Sequence, residues 1–417
     1  MTSPSRSKRL ADDKQRPRVV LTVNAFAADR ALTDLDSAND QRRTDFEELA
    51  ATLKADILDW TTADRSVPGR FLRQRLGFGP VAAALLFLRR NRYDVFWCFS
   101  EVEGLLLALL FKIFKIRRVL FIIGVETLSP KGLFLLRNLK VWTHFTAVLP
   151  TNTYQAQELP AVAHVPSDKV IVLPYQVDCR FFTAPARSDS GEDSRYVMAV
   201  GLDSRDYATL FEAVRGLDVD VKIIAGSMWA GSTFSADGNL PPNVTVIAGD
   251  QGRLSYAQLR TLYAEAALAV TPLAESPFQK GLTAIQEAMA MGLPVIVTRT
   301  TGQSDVVIDR RKVLRSNAEL ETKGGFAQLF APDRADLQES NGFYVGVGDV
   351  AALRNAIVYL LREREVASEL GENAQRFARE LLSLELFVQR AAYLVDRAYK
   401  GEVLESGMLP MLSEGTR

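Results

Sequence analysis

Short, continuous apolar runs alternate with helical patterns along most of the chain, in two successive series. In the first, Val19–Val23, Val95–Phe99, Val119–Ile123, Ala147–Leu149 and Val170–Leu173 read as strands, with helical patterns at Phe46–Leu53, Val81–Arg90, Leu105–Phe114 and Leu133–Lys140. The second places strands at Tyr196–Val200, Val221–Ala225, Val244–Ala248, Leu268–Thr271 and Val295–Thr298. Its helices read at Tyr207–Arg215, Tyr256–Ala266 and Leu282–Met291. A strand apolar at every position needs cover on both faces, which helices crossing over a parallel sheet supply. The expected architecture is α/β: two Rossmann-like, doubly wound domains facing each other across a cleft. Ligands of such sheets sit beyond the carboxyl ends of the strands, at helix starts.

The polar stretch 185–195 falls between the series and reads as a linker. The expected organisation is a flexible basic arm over 1–17, a first domain over 18–184 and a second over 196–375. A C-terminal helix over 376–400 returns to the first domain, and 401–417 forms a flexible tail. Beyond Val350 two or three helices are expected, with stripes at Val350–Glu363 and Leu384–Tyr399 that must cover something. The polar stretch 310–340 reads as a surface excursion.

Fifty basic residues balance fifty acidic ones, so a global field for nucleic acid is excluded and any such contact must be a local patch. Two cysteines support neither a disulfide framework nor a structural zinc site, and a reducing cytosol is the expected compartment. The basic N-terminus has no apolar region behind it and does not read as a signal peptide. The most apolar stretch, Gly104–Ile123, is broken by Lys112, Lys115, Arg117 and Arg118, too early to span a bilayer. Within it, Leu105–Arg118 admits two readings. One is a peripheral membrane face, with Phe111, Ile113, Phe114 and Ile116 beside the cations. The other is a core helix whose lysines reach the surface, followed by a strand.

Chemistry concentrates in Thr271–Thr301. A strand ends in a loop, Gly281 opens a helix, and Gly292-Leu293-Pro294 stops it. Backbone N–H groups at Gly281, Leu282 and Thr283 at a helix start form an anion site suited to a diphosphate, which glycine lets approach closely. Lys280, Thr283 and Glu287 share one helix face by spacing, opposite Ala284, Ile285, Ala288 and Met289. Glu287 lies about 10 Å along the axis from the phosphate end at 1.5 Å per residue. That suits a carboxylate accepting from both ribose hydroxyls of a nucleotide. An ordinary amphipathic helix with Glu287 in water fits the same spacing.

The run Glu287-Ala288-Met289-Ala290-Met291-Gly292-Leu293-Pro294-Val295 resembles the EAMA-x-G-x-PV signature of GT-B glycosyltransferases of the family 4 type. Asn341-Gly342-Phe343-Tyr344-Val345 with Asp349, Leu173-Pro174-Tyr175-Gln176-Val177-Asp178 with Phe181-Phe182, and Ala199-Val200-Gly201 are similar to further family elements, in the family's order. The resemblance implies a retaining, hexosyltransferase-like enzyme using a nucleotide-diphosphate sugar, with a metal site absent and no cofactor. It implies Glu287 on the donor ribose and Gly281, Leu282 and Thr283 on the diphosphate, with Gly201 and Gly226 also on the donor side. Gln279, Lys280 and Arg205 are the expected catalytic residues, the two cations stabilising the departing diphosphate. For Arg205 the alternative is a surface salt bridge with Asp203 or Asp206. The acceptor, expected on the first domain, is a hydroxyl of a glycan or glycolipid of the cell envelope. The enzyme would be cytoplasmic, touching the membrane at most peripherally and binding no nucleic acid.

Two features depart from the family pattern. Gln279 stands where the first carboxylate of a Glu-x7-Glu pair would fall, with Glu275 out of register. The loop Gly124-Val125-Glu126 offers no histidine, and His144 and His164 read as structural. They keep open a nucleotide-sugar epimerase or phosphorylase-like enzyme of the same fold, and a catalytically inactive partner subunit.

Overall fold

The computed structural model describes residues 16–24, 42–65, 67–183, 196–225, 240–247, 254–310 and 338–404. The linker 185–195, Gly226 and most of the arm, tail and 310–340 excursion lie outside the described residues.

The first domain runs β1 (Val19–Thr22), α1 (Asp45–Leu53), β2 (Asp56–Leu58), α2 (Trp60–Asp64), α3 (Val67–Leu76), α4 (Phe78–Leu88), β3 (Val95–Cys98), α5 (Glu101–Ile113), β4 (Val119–Gly124), α6 (Pro130–Leu133), β5 (Ala147–Pro150) and α7 (Thr153–Ala163). Its sheet is parallel, in the order β2-β1-β3-β4-β5. β1, β3 and β5 are buried at every position, as two-sided cover requires. The second domain follows with β6 (Tyr196–Val200), α8 (Tyr207–Val214), β7 (Val221–Ile224), β8 (Val244–Ile247), α9 (Tyr256–Glu265), β9 (Ala266–Thr271), α10 (Leu282–Ala290), β10 (Val295–Thr298) and β11 (Gly342–Val345). This sheet is also parallel, ordered β11-β10-β9-β6-β7-β8.

Two expectations need correction. Val170–Leu173 forms no strand of its own: it lies extended beside β5, where Ile171 N donates to Val148 O at 3.1 Å and Leu173 N to Pro150 O at 3.0 Å, and Pro174 supplies no further donor. Leu133–Lys140 is not one α-helix either. α6 widens into a π-turn at Phe134–Asn138, and Lys140 turns left-handed at φ 46° before a short 3-10 helix. The readings also omitted β2, three residues beginning with an exposed aspartate, and the helices α2 and α3 behind it.

Helices α11 (Val350–Arg362), α12 (Arg364–Leu381) and α13 (Leu384–Tyr399) complete the chain. α12 packs on the end of α10 so closely that a methyl at Gly371 would sit 2.2 Å from Gly292 O. α13 crosses to the first domain, where Leu384, Phe387, Val388, Ala391, Leu394 and Val395 bury against Val19, Leu21, Trp97 and Phe121. At the crossing, Val177 N donates to Leu382 O at 2.9 Å and Leu384 N to Val177 O at 3.0 Å, so both connections between domains run side by side. Ser383 caps α13 with its hydroxyl. Because α13 is the outer cover of the first sheet, Phe387→Ala is expected to cost about 3–5 kcal/mol, the usual range for a buried aromatic truncation. Denaturant unfolding followed by tryptophan fluorescence reads this as a lowered midpoint.

Candidate active site

The loop after β6 and the loop after β9 are laced together. Arg205 bridges to Leu273, Asp206 N donates to Pro272 O at 3.1 Å, and Ala274 N to Ser204 O at 3.1 Å. This brings the Arg205 guanidinium between two left-handed glycines, Gly201 at φ +104° and Gly281 at φ +74°. A methyl at Gly201 would lie 2.5 Å from Arg205 Nη2, and one at Gly281 would lie 3.4 Å from Nη1 and 2.7 Å from Thr271 Cγ2. Both positions therefore need glycine for space as well as for backbone angle. Arg205 makes no side-chain salt bridge with Asp203 or Asp206. It donates through Nε and Nη2 to Val200 O, at 3.0 and 2.8 Å, and through Nη1 to Asp203 O at 2.9 Å. Burial pulls its pKa below the usual value.

Gly281 is the N-cap of α10 and places no side chain over the helix start. Several other helices are capped by their own side chains: Asn152 accepts from Gln155 N at 2.8 Å, Ser255 and Gln258 form a capping box, and Asp349 accepts from Ala352 N at 2.9 Å, whereas α4 behind Gly77 and α12 behind Glu363 are, like α10, without a side-chain cap. The first turn of α10 is thus open, with Arg205 beside it, at Gly281, Leu282 and Thr283, the positions expected to face an anion.

Lys280 reaches across the cleft. Its Nζ is 2.8 Å from Glu126 Oε1 in the loop after β4 and 3.2 Å from Asp203 Oδ2. Burial works against its charge, but the two carboxylates outweigh it and raise the pKa. Gln279 is buried, and its Oε1 has no hydrogen-bond partner among the described residues.

Glu287 does not share an open face with Thr283. Thr283 is exposed, whereas Glu287 is 3 % exposed. Tyr263 donates to Glu287 Oε2 at 3.2 Å, and Arg42, stacked 4.6 Å over the Tyr256 ring, pairs with Oε1 at 3.7 Å. The spacing argument put Glu287 opposite the apolar face; α9 and Arg42, three residues before α1, fold over that side and enclose it. Burial pushes the carboxyl up to about 7 against Arg42 and Tyr263, which oppose the rise. A second buried acid, Glu103, accepts from Thr22 Oγ1 at 3.0 Å below the carboxyl ends of β1 and β3, and burial likewise raises it to about 7. The spacing argument missed Arg42, Glu126, Tyr263 and Glu103, because none stands in a motif with its partner.

His144 lies outside the cleft against Thr143, and His164 is the left-handed C-cap of α7. Among the described residues no group of three or more His, Cys, Asp or Glu side chains converges to hold a metal.

Residues 210–363 match the family model described as glycosyl transferases group 1. The match spans 154 of the chain's 417 residues. Three solved structures share the fold over nearly the whole chain. Sucrose-phosphate synthase from Thermosynechococcus elongatus is 15% identical, with 93% of this chain and 100% of that one aligned at a TM-score of 0.64. HepE from Anabaena, solved with UDP-glucose, is 15% identical, with 91% and 100% aligned at 0.56. WaaG, a glycosyltransferase involved in lipopolysaccharide biosynthesis, is 12% identical, with 90% and 99% aligned at 0.52. The comparison with curated proteins finds no match. The fold shared with these structures is GT-B.

The titration of Glu287 has a definite sign. An unfolded glutamate loses its proton near pH ~4.3, whereas the folded one keeps it to about 7. The folded state binds more protons in that window, so this group's contribution to stability falls as pH rises through it. Glu287→Gln is expected to flatten part of the decline, Glu103 carrying another part. Urea unfolding of both proteins across the window measures the difference.

Proposed function

We propose that this chain is a transferase that takes a nucleotide-diphosphate sugar in the second domain and passes the sugar, with retention, to a hydroxyl acceptor held by the first. The observation that carries the reading is the open start of α10 with Arg205 wedged between Gly201 and Gly281. The N–H groups of Gly281, Leu282 and Thr283 hold the diphosphate. Arg205 and Lys280 neutralise the charge that grows on it as the glycosidic bond breaks, which is where preorganised charge lowers a barrier most. On this reading no metal takes part. Gln279 Oε1 accepts from a sugar hydroxyl. Glu287 accepts from the ribose, which displaces Arg42 as the first domain moves aside.

HepE's binding of UDP-glucose supports a uridine nucleotide as the first donor to try, and the naming of WaaG supports a glycan or glycolipid of the cell envelope as the acceptor class. No helix among the described residues is long and apolar enough to cross a membrane. The proposal accordingly places the work on the cytoplasmic side, with membrane contact at most peripheral.

A thermal-shift panel of UDP-, GDP-, ADP- and CDP-sugars is expected to give a raised melting point with one nucleotide class. Glu287→Ala should weaken that donor by about 1.5–3 kcal/mol, roughly 10- to 100-fold, as lost charged hydrogen bonds do, in calorimetry on a protein that remains folded. Unchanged affinity would remove the ribose role. Transfer should persist in EDTA; loss of turnover restored by a divalent ion would overturn the metal-independent mechanism. Products formed from donor alone would favour the epimerase or phosphorylase reading.

A further inference from the structure

Helix α3 has no buried side chain among Gly69–Leu76, although it carries Phe71, Leu72 and Leu76, which are 56%, 44% and 58% exposed. A surface helix normally hides its apolar residues against the core. Here they stand outward beside Arg70, Arg73 and Arg75, and the helix holds no acidic residue. Arg73 is fixed inward by Asp64 of α2 at 2.7 Å and stacks 4.8 Å over Trp60, while Arg75 lies 5.5 Å over the Phe71 ring. Gly77 turns the chain directly into α4, a helix without any charge, whose Gly79 abuts Val102 in the first turn of α5. Val102 is exposed as well. α5 begins three residues past the carboxyl end of β3, so this patch borders the ligand end of the first sheet. The other candidate stretch is mostly core: Phe111 is fully buried, Ile116 packs on the core and Lys112 Nζ reaches Leu139 O, and only its end leaves Ile113 and Phe114 exposed, the Phe114 ring lying 4.8 Å from that of Phe87.

We infer that α3 docks the first domain onto an anionic lipid surface, with Phe71, Leu72 and Leu76 entering the acyl boundary and Arg70 and Arg75 facing the headgroups. Exposed apolar side chains interleaved with arginines and no carboxylate are what an interfacial helix presents to anionic lipid. A second copy of the chain is a poor occupant, because pairing α3 with itself would set Arg70 and Arg75 against the same two arginines with no carboxylate on the helix to answer them. The docking stands without the functional reading. That it holds the acceptor side of a transferase near a lipid-linked acceptor rests on that reading.

Flotation with phosphatidylcholine vesicles, with and without phosphatidylglycerol, tests the inference on the full chain. The protein is expected to float with the anionic vesicles only. Combined Phe71→Gln, Leu72→Gln and Leu76→Gln, which keep good helix formers on an exposed face, should cut the bound fraction by about tenfold. Arg70→Gln with Arg75→Gln, or raised salt, should weaken binding in the same direction. Both variants should keep the wild-type thermal shift with nucleotide-sugar, which separates a failure of docking from a failure of the donor reading. Absence of flotation, flotation unaltered by the triple substitution, or a self-association seen by sedimentation that the triple substitution abolishes without any vesicle binding would each overturn the inference.

Discussion

A parallel sheet covered on both faces has only its strand ends left for chemistry, and this chain obeys that constraint twice. β3 and β9 spend nearly all their positions on burial, so polar groups gather beyond the strand ends, at Glu103 in the first turn of α5 and Glu126 after β4 on one side, and at Arg205 after β6 and Gln279 and Lys280 after β9 on the other. The two sets of carboxyl ends face each other, and the cleft between them follows. Apolar strands thus leave the polar apparatus nowhere else to go.

The two domains are joined by contacts of contrasting kinds. α13 buries an unbroken apolar face on the first sheet and is tied at its root by the Val177–Leu382 and Leu384–Val177 hydrogen bonds. The cleft itself closes on polar pairs: Lys280 with Glu126 at 2.8 Å, Thr153 Oγ1 with Asp305 Oδ1 at 2.7 Å, Gln286 Nε2 with Tyr175 O at 3.0 Å. Of these only Lys280–Glu126 is a part-exposed ion pair, a kind that contributes about 0–1 kcal/mol; Asp305 and Gln286 are buried. The strap is thus apolar and the seam polar. Arg42 on Glu287 is part of that seam, which is why the carboxylate nearest the cradle is enclosed in this arrangement.

Much of the architecture was legible because burial on both faces leaves a continuous apolar signature, as at Val295–Thr298 and Tyr196–Val200, where expected and observed bounds agree. What escaped was short or weakly apolar. β2 is three residues starting at Asp56, and α3 has no buried stripe to announce it. The cradle at Gly281 was legible through glycine and helix-start chemistry, and the Arg205 loop through its place after β6. The state of Glu287 was not, since α10's own periodicity says nothing of Tyr263 from α9 or Arg42 from the first domain closing over it.

The amino-acid sequence by itself determined the two parallel sheets, the break between them and the glycine that opens α10, because local propensity and two-sided burial act within a few residues. Tertiary structure alone decided that Arg205 sits between Gly201 and Gly281 and that Lys280 meets Glu126, 154 positions away in the chain. It also decided that Glu287 is buried rather than bathed in water. Those outcomes depend on loops of different strands meeting in space, and the electrostatics of a site follow from what encloses a charge rather than from the residues next to it in the chain.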